Sequence, residues 1–165
     1  MVNRRLFWVL VVANFLLFFG FGIWTAVFNN FAVNQINVRA EQMGLIQSLR
    51  EVPGLLGFTF ALLALAIPEM RIMAISIIVL GAGLVMSGRS NDVTTLLIAT
   101  FVTSVGFHYF YAGLSAVVLL VAETRQVPRV LGTFNAVTAI ASIAATGLVA
   151  LTVAQVGERA LQIGS

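Results

Sequence analysis

From Leu6 to about Phe28 the chain is apolar and aromatic with hardly a break, and four later stretches are nearly as extreme. A hydrocarbon core about 30 Å thick needs about 20 such residues per helix. Five segments meet that length, at roughly 6–30, 43–67, 70–87, 93–121 and 130–154. Their runs are long and continuous rather than short and alternating, which selects helices over barrel strands. The expected fold is all-α: a polytopic transmembrane bundle of five membrane-spanning helices forming a single domain over residues 1–165. Met1 to Arg5 followed by an apolar run has the outline of a secretion signal, but a signal core is only about 7–15 residues long. The first segment is therefore read as a retained helix.

Composition narrows the function classes. The chain is 60% hydrophobic, with nine arginines, no lysine and six acidic residues. Soluble chains are about 45–50% apolar and about 25% charged, so a soluble domain could not hide this surface. The net charge of +3 comes from arginines scattered at loop positions with no basic stripe, which argues against nucleic acid as a partner. No cysteine and a single histidine exclude thiolate and His-rich metal sites, and no cofactor is expected. No phosphate loop, Gly-x-Ser-x-Gly elbow or CxxC motif occurs, so the expectation is a non-enzyme.

Arginine placement sets an expected orientation. With the N-terminus cytoplasmic, the inner segments hold Arg4, Arg5, Arg71, Arg125 and Arg129, and the outer ones Arg39, Arg89 and Arg159. That bias has the sense the positive-inside rule requires. Five spans leave the tail from Gly157 to Ser165 outside, and the odd helix count reads as an incomplete unit. Trp8 and Trp24 sit near the two ends of the first helix, as interfacial belt residues do. The Asn-rich run from Asn29 to Asn37 reads as a solvated outer loop.

The stretch Arg50-Glu51-Val52-Pro53-Gly54 places two charges and a helix breaker in the second apolar segment. Ionisable side chains in hydrocarbon are costly, so one that is retained is a functional hypothesis. Adjacent residues on a helix diverge by about 100°, so each charge is expected to find a partner on another helix rather than in its neighbour. Pro53 releases the Leu49 carbonyl and can bend the helix. Arginine suits an anionic group and glutamate can take a proton. The alternatives are a purely structural charge pair, or an interfacial turn over 43–51 with the span confined to 52–67. His108 shares a helical face with Ser104, Tyr111 and Ser115, which marks a side turned toward protein or water. It could relay protons or bind solute, or serve only as a packing hydrogen bond. Weaker polar faces hold Asn14, Thr25 and Asn29 in the first helix, and Asn135, Thr138, Ser142 and Thr146 in the fifth. Packing is the simpler reading of both. The small residues of that fifth helix, with Gly81 and Gly83 in the third, allow close helix approach.

Helix order, loop lengths, the segment Gln42-Met43-Gly44-Leu45-Ile46-Gln47-Ser48 and the stretch from Glu123 to Asn135 (Glu-Thr-Arg-Gln-Val-Pro-Arg-Val-Leu-Gly-Thr-Phe-Asn) resemble the N-terminal half of a major facilitator superfamily transporter, through its first five helices. The resemblance covers nearly the whole chain. It departs from the family where helices two and three meet: Ala61 to Arg71 keeps only Arg71 of the usual Gly…Asp-Arg…Gly-Arg-Arg signature. The arginine common on helix four of proton-coupled members and the Gly-Pro signature of drug antiporters are also absent.

The resemblance implies a cavity lined by helices one, two, four and five, with Asn14, Arg50, Glu51, His108, Tyr111 and Asn135 facing it. It implies the first part of a secondary active transporter for a small solute, working by alternating access with a second transporter half or partner membrane subunit. The expected location is the bacterial inner (plasma) membrane. The competing expectation is a transporter-like accessory or assembly subunit of a larger membrane complex that carries nothing.

Overall fold

A computed structural model describes residues 4–163, with side chains placed up to 156. Met1 to Asn3, Gly164 and Ser165 lie outside the described residues, as do the side chains of the tail from Gly157. Among the described residues six helices follow in order: α1 (Arg4–Asn34), α2 (Ala40–Leu55), α3 (Phe58–Ala64), α4 (Glu69–Gly88), α5 (Val93–Val121) and α6 (Val127–Ile163). No strand occurs among the described residues. Four of the helices (α1, α4, α5 and α6) are long and apolar enough to cross a membrane, as an integral membrane protein requires. The chain forms two compact units, one over residues 30–131 and the other from the flanking segments up to residue 29 and from residue 132.

The second apolar segment differs most from expectation. It is not one helix over 43–67 but two, α2 and α3, joined at Leu56 and Gly57. Pro53 has no amide to bond the Leu49 carbonyl, and it sits three residues before the break. The chain then tightens: Gly57 donates to the Gly54 carbonyl (3.1 Å), Thr59 to Leu56 (2.9 Å) and Phe60 to Gly57 (3.1 Å). These three-residue bonds carry the backbone across the interruption as a short 3₁₀-like turn. Helix α1 differs in the other direction. It continues to Asn34, so Asn29, Asn30 and Asn34 are helical rather than loop residues, although all three are exposed. The chain turns at Asn37, whose φ of 58° lies in the left-handed region that asparagine tolerates better than most residues.

The first unit is organised by α4 and α5. Buried residues recur on α4 at Met73, Ser76, Leu80, Gly83 and Ser87, and on α5 at Ala99, Thr103, Gly106, Phe110, Gly113 and Val117. Alternating steps of three and four are the heptad seam of two helices packed side by side. The facing pairs run in opposite directions along the two chains, Met73 against Gly113 and Gly83 against Thr103, so the helices are antiparallel. Glycine sets the closeness of the crossing. A Cβ at Gly106 would lie 2.6 Å from the Ser76 carbonyl oxygen, and one at Gly83 would lie 2.5 Å from the Thr103 amide nitrogen.

Three buried hydroxyls of these two helices bond within their own helix, whereas that of Ser87 has no hydrogen-bond partner among the described residues. Ser76 donates to Ile72, Thr100 to Leu96 and Thr103 to Ala99, each at 2.8 Å. The start of α5 is capped by Asp92, whose carboxylate accepts from the Thr95 amide (2.9 Å) and hydroxyl (3.0 Å). The bond from the Thr95 amide, then that from its hydroxyl, holds the Asp92 carboxyl below its ordinary range. A depressed carboxylate stabilises the fold above its unfolded-state value, so this cap acts at neutral pH and is lost as pH falls through the lowered value.

In the second unit, Asn14 is fully buried and donates to the Phe134 carbonyl (3.2 Å) and the Thr138 hydroxyl (3.0 Å) of α6. One turn or more along, Gly22 lies against Ala145 and the Ser142 backbone. Of the small residues expected to pack this helix, Ala141 and Ala145 are fully buried, whereas Ala136, Ala139, Ala144 and Ala150 are exposed. Trp24 is buried against Phe21 (ring centres 5.3 Å apart) and Phe28 (4.6 Å), which places it in protein rather than in an interfacial belt. Trp8 is exposed.

Candidate functional site

Three ionisable side chains meet where α2 lies along α5 in the first unit. The Arg50 Nε is 3.2 Å from Glu51 Oε1, and His108 Nε2 is 3.9 Å from Glu51 Oε2. The pairing of Arg50 with Glu51 corrects the expectation that neighbouring charges cannot meet. Their Cα–Cβ vectors diverge, but both side chains are long enough to fold toward each other at the helix surface. The glutamate thus bridges its own helix neighbour and a histidine on another helix. His108 thus supplies Glu51 with a partner on another helix.

Backbone geometry brings the two helices this close. Gly54 faces the imidazole: a Cβ there would lie 2.6 Å from His108 Cε1 and 2.9 Å from Nδ1. Any larger residue would push His108 away from Glu51. The hydroxyl of Ser104, one turn before His108, donates to the Arg50 carbonyl. The carbonyl engaged is Arg50's, one residue beyond the Leu49 carbonyl that Pro53 leaves unpaired. A second link to α5 lies past the break, on α3, where the Thr59 and Tyr109 hydroxyls share a hydrogen bond. Tyr109 was not among the expected site residues, because its neighbours His108 and Tyr111 mark a different helical face.

The remaining candidates are not gathered here. Tyr111 lies on α5 but is 47% exposed, its ring stacked parallel to Phe107 at 6.4 Å. Ser115 donates back to the Tyr111 carbonyl (3.2 Å). Asn14 and Asn135 belong to the other unit, the first buried in its bonds to α6 and the second exposed.

Chemically the cluster offers one fixed positive charge, one carboxylate and one imidazole. The side chains of Arg50 and His108 are mostly enclosed (32% and 24% exposed), and that of Glu51 is the open member at 58%. With the imidazole neutral the cluster carries no net charge, and protonating the imidazole or the carboxylate gives it one positive charge. Such an arrangement can take up a proton, or accept an anionic group at the guanidinium when the carboxylate releases it. Comparison with protein-family models and with curated proteins finds no match for the chain.

Proposed function

We propose that the chain is the N-terminal portion of a secondary active transporter for a small solute, of the major facilitator type, working by alternating access. The observation that carries this reading is the convergence of Arg50, Glu51 and His108 between two helices of an otherwise apolar protein. In this reading Arg50 balances or binds an anionic group of the solute, and Glu51 is the protonation site. His108 and Tyr111 line the cavity. The α2–α3 pair supplies the fifth crossing, and the protein resides in the bacterial inner membrane with its N-terminus in the cytoplasm. A second transporter half or a partner membrane subunit completes the translocation path.

Uptake into proteoliposomes tests the proposal. The complete gene product should accumulate a small carboxylate or phosphate solute from a panel when a proton gradient is imposed. The rival reading is an accessory subunit, which the missing gate signature between Ala61 and Arg71 favours. A stoichiometric complex with another membrane protein, and no uptake of any solute in the panel, would decide for the rival.

A further inference from the structure

Beside the α4–α5 seam, on the side of α3, the first unit contains a crevice of about 190 Å³. Its walls are Leu63 of α3, Ile72, Ile75 and Val79 of α4, and Val105 and Tyr109 of α5. The two polar groups on this wall are already engaged: Ser76 donates to the Ile72 carbonyl (2.8 Å), and the Tyr109 hydroxyl bonds Thr59. What remains to an occupant is hydrocarbon surface. The crevice is open outward, with Ile75 50% and Leu63 40% exposed. It extends along α4 from Ile72 to Val79, seven residues or about 10 Å.

Size and position choose the occupant. At about 30 Å³ per water-sized group, 190 Å³ holds a short run of methylenes. A helix about 10 Å across cannot enter it. The walls belong largely to α4 and α5, two helices apolar enough to cross a membrane, so the medium around them is acyl chain. Charge fixes one end. Exposed Arg71 immediately precedes Ile72 and stands one turn from Ile75, at the rim where α4 begins. We propose that this crevice binds one acyl chain of a membrane phospholipid, with the lipid phosphate held at Arg71. The site is independent of the charged cluster and does not rest on transport.

Native mass spectrometry of the complete gene product, delipidated in detergent and titrated with dioleoyl phosphatidylglycerol, tests the assignment. One phospholipid per chain should be retained in preference to others. Val79→Trp, which fills the crevice, should abolish that retention, whereas Ile78→Trp at a 71% exposed position should leave it unchanged. Arg71→Gln should weaken it about fivefold, as should replacing the lipid by dioleoylglycerol, which has the chains without the phosphate. Retention unaffected by Val79→Trp, or a second protein copy or another subunit bound in place of the lipid, would overturn the proposal. If the tryptophan variant fails to fold, the surface change decides: undiminished retention by Arg71→Gln overturns the phosphate assignment.

Discussion

Gly106→Leu is expected to lower stability by about 3 kcal/mol or more, at the upper end of what overpacking costs. The obstacle is backbone, since the added Cβ would meet the Ser76 carbonyl oxygen at 2.6 Å. A flexible side chain could move aside at small cost; a helix can do so only by opening the α4–α5 seam along its length. Gly81→Leu provides the contrast. It lies on α4, two residues from Gly83, but nothing lies within 4 Å of a Cβ added there. Its effect should stay within about 0.5 kcal/mol. Unfolding of the two variants in mixed micelles, followed by helical circular dichroism, checks the difference. Equal stabilities would mean that the crossing is not as close as described.

Arg50→Ala is the second large effect, and its reading is functional. Removing the guanidinium leaves the Glu51 carboxylate with only His108 at 3.9 Å, and leaves an anionic solute group with no cation to meet. Losing a charge-assisted contact costs about 1.5–3 kcal/mol, and every 1.4 kcal/mol is about tenfold, so uptake should fall about ten- to a hundredfold. Arg50→Lys keeps the charge but loses the planar fork, and should be intermediate. Glu51→Gln preserves shape and removes the titratable group, so it should abolish the response to a proton gradient while solute exchange at equal pH persists. Normal concentrative uptake by both Arg50→Ala and Glu51→Gln would remove these residues from the site.

The sequence revealed the membrane helices because twenty apolar residues in a row are a local signal that tertiary packing cannot mask. The seam between α4 and α5 was not legible for the converse reason. In hydrocarbon the outward face of a helix is as apolar as the buried one, so nothing in the pattern separates Gly83, which is packed, from Gly81, which is open. The break after α2 was half legible: Pro53 announced an interruption, but Gly57 and its three-residue turns fixed where it falls. On the polar face of α5, Ser104 and His108 do meet α2. Tyr111, which periodicity aligns with them, has its ring stacked on Phe107. The Arg50–Glu51 pair escaped helical-wheel reasoning because that reasoning tracks Cβ directions, and both side chains reach well beyond them.

The central claim is that the cluster lies on a path opened to each side of the membrane in turn. The chain has no cysteine, so a single one can report access without interference. Ser48, exposed on α2 three residues before Glu51, is suited to this because it is outside the charged cluster. In sealed vesicles carrying the complete gene product with Ser48→Cys, a membrane-impermeant thiol reagent should modify the cysteine from either face. Imposing a proton gradient should shift the balance between the two rates. Modification from one face only, at a rate indifferent to the gradient, would contradict the account.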